Sequence, residues 1–183
     1  MFMPSSTHRS KITVAQIAIF AVLGCTMFVS RMVMASLPNI HLLGLFIGAA
    51  TIVYKKRALF PIYVFVFLDG LLFQGFSPWW IPKLYLYLPL WAMFMIISKI
   101  NLPNNAKVPV YAAISALHGI LFGILWAPAQ AVMFGLNWDG MVAWWLAGVP
   151  FDIKHAVGNL SAGVLIVPFV NLLQRLNKTA NIE

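Results

Sequence analysis

An all-α membrane protein with six transmembrane helices is the fold this sequence predicts, and three observations carry the prediction. Of its 183 residues 62% are hydrophobic and only 9% are charged, with a mean hydropathy of +0.89, whereas soluble domains carry about 25% charged residues. The apolar residues fall into six runs, most of them long enough to cross a hydrocarbon core about 30 Å thick. The basic residues gather in alternate connections, the pattern that orients membrane helices.

The runs follow one another with clear punctuation. Span 12–36 follows the polar stretch from Met1 to Ser10 and stops before the breakers Pro38 and Asn39. Its length, and the lack of a small-x-small cleavage site after it, predict a retained helix rather than a signal peptide. Span 40–54 is short and ends on Lys55, Lys56 and Arg57. Span 58–76 carries Pro61 near its start and Asp69 in its interior, and the breaker from Ser77 to Pro82 follows it. Span 82–98 leads to a polar loop, Asn101 to Lys107, containing Pro103. Span 108–134 is expected to be interrupted at Pro128, and span 143–174 closes before Arg175 and Lys178. The whole chain forms one membrane domain.

An even number of spans puts both termini on one side. Arg9, Lys11, Lys55, Lys56, Arg57, Lys99, Lys107, Arg175 and Lys178 then all fall on that side, which makes it cytoplasmic. A net charge of +8 could suggest nucleic acid, but these cations are scattered over loops between apolar runs and form no continuous basic face. Nucleic acid is therefore not an expected partner; the lipid bilayer is.

The polar residues that this topology leaves unexplained share one depth, toward the outer face. They are Arg31 late in the first span, Asp69 in the third, Lys83 at the head of the fourth, Gln130 late in the fifth, and Asp152, Lys154 and His155 in the sixth. A charge at the centre of a bilayer costs a few kcal/mol unless it is paired or faces water. A shared polar cavity open to the outside accounts for them together. The stretch WWLAGVPFDIKHAVGN, Trp144 to Asn159, is its densest part, with Asp152, His155 and Asn159 on one helical stripe. The alternative for Asp152 is a structural ion pair with Arg31 or Lys83. The candidate substrate-binding residues are thus Arg31, Asp69, Trp79, Trp80, Lys83, Tyr85, Trp126, Gln130, Trp144, Asp152, His155 and Asn159. For the tryptophans at the boundary, an interfacial belt competes with a lid over the ligand. Three cations against Asp69 and Asp152 point to an anionic or mixed-polarity ligand.

No catalytic set is present. The chain has no GxSxG elbow, Walker A loop or HExxH pair, and its four histidines, at 8, 41, 118 and 155, are spread over different segments. No metal site is expected; His41 and His118 are expected to bond to neighbouring backbone. The lone Cys25 excludes a disulfide framework. In the first span Ala18, Ala21 and Cys25, with Ala15 and Gly24, would let another helix approach closely.

The Pro38-Asn39-Ile40 break, the segment TIVYKKRALFPIYVFVFLDGLLFQGFSPWW from Thr51 to Trp80, and GVPFDIKHAVGN from Gly148 to Asn159 carry a resemblance. Over nearly its whole length the chain resembles the substrate-binding S-components of energy-coupling factor (ECF) vitamin transporters. The resemblance implies a multi-pass protein of the bacterial cell membrane that is itself no enzyme. It would capture a vitamin from outside and associate with a transmembrane coupling subunit and two cytoplasmic ATPase subunits. ATP would be used by those partners, and the transported vitamin would be the only ligand, with no permanently bound cofactor. In the family the coupling subunit meets an Ala-x-x-x-Ala pattern on the first helix; the nearest match here is Ala21 to Cys25, with Ala18 facing Val22. Among known substrates cobalamin comes first, followed by folate, pyridoxine-type and riboflavin ligands. A membrane enzyme or an assembly factor without transport is the reading from another class, with Asp152 and His155 as a proton-transfer pair.

Overall fold

The structure is a computed structural model that describes residues 12–37 and 39–180. Expectations that rest on Arg9, Lys11 and Pro38 lie outside the described residues. All regular structure among them is helical: α1 (Val14–Val33), α2 (Leu43–Tyr54), α3 (Leu59–Asp69), α4 (Lys83–Leu86), α5 (Leu88–Ile97), α6 (Asn104–Phe134), α7 (Trp138–Gly163) and α8 (Ile166–Thr179), with short 3-10 and π turns between them.

Pairs of touching residues give the direction of each helix. α1 starts on a capping box, with Gln16 N donating to Thr13 Oγ1 and Thr13 N to Gln16 Oε1, each at 3.2 Å. It then runs parallel to α3: Gln16 meets Arg57, Gly24 lies against Pro61 and Val64, and Arg31 meets Asp69. α2 runs the other way and ends with Tyr54 against Phe20, their ring centroids 5.0 Å apart. The chain therefore reverses at Lys55, whose φ is 56°. α5 and α6 are antiparallel, since Phe94 meets Tyr111 edge to face while Leu86 O, one element earlier, is bonded by His118. α6 and α7 are antiparallel along a seam where Gly119 faces Ala156 and Gly163 faces Ala112. α8 continues the direction of α7 and packs on α2 through Phe46 and Phe169. The result is a bundle whose helical segments largely alternate in direction along the chain.

Length and apolarity suit several of these elements to a bilayer. Val14–Val33, Leu43–Gln74, Pro78–Ile97 and Asn104–Phe134 are long and apolar enough to cross one, and α7 with α8, bent by 51°, makes a fifth if the pair is one span. The difference from the expected six lies at Lys55. There spans 40–54 and 58–76 are joined by nothing longer than a 3-10 turn, Lys55–Ala58, so that Leu43–Gln74 forms one continuous apolar stretch that reverses at Lys55. α2 alone has 12 residues, about 18 Å at 1.5 Å per residue, which is short of the ~30 Å core. The outward faces are apolar as well: Val22, Val29, Leu71, Val132 and Ile153 are more than half exposed. That distribution suits lipid rather than water.

Other boundaries differ for local reasons. α6 begins at Asn104, directly after Pro103, so Asn104 to Lys107 form its first turn rather than a loop. It also runs unbroken through Pro109 and Pro128, so the expected interruption at Pro128 is absent. α7 begins at Trp138 instead of 143 because the Asn137 side chain caps it, accepting from Gly140 N at 2.8 Å. Span 143–174 divides at Val164 and Leu165, and span 82–98 steps at Tyr87, two residues before Pro89. The core between passes is filled by Met27, Leu43, Ile47, Ile62, Phe65 and Phe94, all fully buried.

Candidate ligand-binding site

Where α1 and α3 end, α2 and α4 begin, and α6 and α7 cross them, the packing leaves a cavity of about 240 Å³. Its charged wall follows from the register of three helices. Arg31 sits in the last turn of α1, Asp69 ends α3, and Lys83 opens α4. Asp69 is fully buried and takes both cations, Arg31 Nη1 at 3.1 Å and Lys83 Nζ at 2.5 Å. Arg31 and Lys83 line the cavity whereas Asp69 stands behind them. Two cations against one carboxylate leave this cluster with an excess positive charge facing the cavity. Phe73 holds the Arg31 guanidinium from the other side, 4.5 Å from its ring centroid.

The opposite wall is aromatic and imidazole. His41 and His155 meet edge to face at 4.6 Å, and Phe122 lies 4.6 Å from His155 and 5.6 Å from Trp126. His118 stands behind them and makes its expected backbone bond, Nε2 to Leu86 O at 2.8 Å. His41 Nδ1, Gln74 Oε1, Trp126 Nε1 and His155 Nε2, all on residues lining the cavity, are buried without a hydrogen-bond partner among the described residues. Buried polar groups are normally paired, so four together around one space call for an explanation. No cluster of three or more His, Cys, Asp or Glu among the described residues could hold a metal ion.

No family model, curated protein or solved structure matches this chain.

The cavity thus gathers Arg31, Lys83, Trp126 and His155 from the sequence-based candidates, with Asp69 as their support. The others are elsewhere. Asp152 is wedged against Gly123 in the α6–α7 seam, with its Oδ2 unpaired. It pairs with neither Arg31 nor Lys83, both of which are taken by Asp69. Asn159 Nδ2 donates to Ser115 O at 3.0 Å and so ties α7 to α6. Stripe position alone could not distinguish a residue facing the cavity from one facing the neighbouring helix. Tyr85 turns outward and bonds Leu125 O at 3.0 Å, and Trp80 Nε1 donates to Val66 O at 2.7 Å. Trp79 is half exposed against Phe134; Gln130 is buried and Trp144 half-buried, and neither lines the cavity.

Sequence reasoning missed His41, Phe73, Gln74, Tyr87 and Phe122. His41 and Gln74 had a readable signal, since both are polar residues bordering breaks in apolar runs. The aromatic residues had none. On the outside of α1, Ala18, Ala21 and Cys25 are exposed, and a shallow groove runs past Ala21, Cys25 and Val29.

Proposed function

We propose that this chain is the substrate-capturing membrane subunit of an ECF-type importer, holding a small anion-bearing vitamin in the cavity between Arg31 and His155. The observation that carries this reading is the coincidence of an excess cation with four unpaired buried polar atoms around one space of about 240 Å³. A carboxylate or phosphate would take the place of water at Arg31 and Lys83, and small side-chain rotations would pair His41, Gln74, Trp126 and His155 with the rest of the ligand. Phe73, Phe122 and Trp126 suit a flat ring.

The volume bears on which vitamin. Pockets for drug-sized ligands run from about 300 to 1,000 Å³, so this space favours a molecule smaller than cobalamin, and within the expected set a pyridoxine-type ligand. Cobalamin, folate or riboflavin would require the cavity to widen. In this proposal six spans place both termini in the cytoplasm of a bacterial cell. A coupling subunit docks on the exposed Ala18, Ala21 and Cys25 face of α1, and two ATPase subunits supply the ATP hydrolysis. The enzyme reading has less behind it, because Asp152 lies in the helix seam while His155 borders the cavity.

Mass spectrometry of the small molecules that copurify with the protein, followed by calorimetric titration of the one found, tests the proposal. Arg31→Met and His155→Leu are expected to weaken binding about tenfold or more, as the loss of a charge-assisted or buried polar contact predicts. Asn159→Ala is expected to lower the melting temperature while sparing the dissociation constant. No copurifying molecule, and no thermal shift with a panel of pyridoxine-type compounds, their phosphates and small acidic vitamins, would sink the reading.

A further inference from the structure

At the end of the molecule opposite the cavity, the turn between α2 and α3 carries three consecutive cations, Lys55, Lys56 and Arg57. Lys55 holds a left-handed φ of 56°, which costs a lysine energy and persists only where the surroundings impose it. Its carbonyl accepts from Trp91 Nε1 at 3.3 Å, and Arg57 Nη1 donates to Gln16 Oε1 at 3.1 Å. The turn is therefore anchored on both sides. Lys55 and Lys56 remain exposed and border a recess of about 460 Å³, completed in part by Tyr54, Met95 and Asn177.

Lys56 also stands at the head of a second recess, about 740 Å³, that runs along α3 past Phe60, Tyr63, Phe67 and Leu71. The floor and walls of this groove are apolar except at Lys56 and the Tyr63 hydroxyl, and that hydroxyl is spent on Leu84 O at 2.9 Å. From Leu59 to Leu71 the groove covers about 18 Å of helix, against about 15 Å for one leaflet of the hydrocarbon core. A cationic head joined to an apolar trough of leaflet length, on an outward face of the molecule, matches one kind of molecule in both charge and shape.

We propose that Lys55, Lys56 and the α3 groove form a binding site for an anionic phospholipid, with its phosphate at the two ammonium groups and one acyl chain along Phe60, Phe67 and Leu71. Basic pockets at membrane helix ends recognise lipid headgroups in this way, and the groove adds burial of the chain. The site is independent of whatever the cavity holds.

Native mass spectrometry and thermal unfolding of the delipidated full chain in detergent test it, with dioleoyl phosphatidylglycerol, dioleoyl phosphatidylcholine and inorganic phosphate as probes. Retention of the glycerol lipid is expected to exceed that of the choline lipid by about tenfold, with a melting temperature raised only by the former. Lys55→Gln with Lys56→Gln, both exposed, is expected to bring the two lipids to parity. Phe67→Ala, on the groove wall, is expected to weaken retention of both lipids while keeping the preference between them. Equal retention of the two lipids by the unaltered chain, or a preference that survives the double lysine change, overturns the proposal. Protection by inorganic phosphate equal to that by phosphatidylglycerol also overturns it, because the groove would then contribute nothing.

Discussion

Asp69 decides more than any other single residue. It is fully buried, and two cations from two other helices converge on it. Removing the charge of a buried ion-pair member leaves its partners uncompensated, which costs about 3–5 kcal/mol. Asp69→Asn is therefore expected to lower the melting temperature in detergent sharply. The triple change Arg31→Met, Asp69→Leu and Lys83→Met is expected to recover much of that loss, because no charge is then left unpaired. A triple variant no more stable than Asp69→Asn would show that the cluster contributes shape rather than charge balance. Each of the three residues was legible in the sequence as an intramembrane charge, but their pairing was not. Asp152 and Asp69 look equivalent along the chain, and only the parallel packing of α1 on α3 distinguishes them.

At the scale of elements, glycine separates two kinds of helical surface. A Cβ on Gly119 would stand 2.6 Å from the backbone of Ala156, which cannot move aside as a flexible side chain could. Gly148, about two turns from Ala156 on the facing helix, has open space around it. Gly119→Val is expected to destabilise the α6–α7 pair by at least the 1–3 kcal/mol typical of overpacking. Gly148→Ala is expected to be neutral or to raise stability by up to about 1 kcal/mol through helix propensity. Thermal unfolding of the two variants side by side checks the contrast, and equal behaviour would mean that the seam is not close-packed. The helices were readable from apolar runs and breakers, including the turn at Lys55, but the polar stretch Asn104 to Lys107, expected as loop, is the first turn of α6. Breaks at proline were less readable: Pro128 sits in α6 without ending it. The step at Tyr87 and the bend at Leu165 depend on what packs alongside, which no local pattern records.

For the whole molecule the alternation of passes fixes which ends lie together. The turn at Lys55, the end of α5 near Lys99, the start of α6 near Lys107 and the end of α8 near Lys178 share one end, while Arg31, Lys83 and the cavity lie at the other. Cysteine labels at Asn105 and at Asp139, both exposed, in a Cys25→Ser background, are expected to react from opposite sides of intact cells. Asp139 should react with an impermeant reagent from outside. Equal labelling of both positions would overturn the six-pass topology. Asn137 is unsuited to the test because its side chain caps α7.

The Arg31, Asp69 and Lys83 cluster also has a consequence in time. Its members belong to α1, α3 and α4, which leave the ribosome one after another. In a bilayer, α1 arriving first would find no carboxylate for its arginine, and the guanidinium would be expected to stay near the interface on its flexible stem. The partner arrives only once the chain has passed Asp69, and the second cation follows fourteen residues later. If the helices enter a bilayer in the order of synthesis, α1 is expected to reach its final depth only once α4 has begun, so the order of synthesis and the order of assembly would differ.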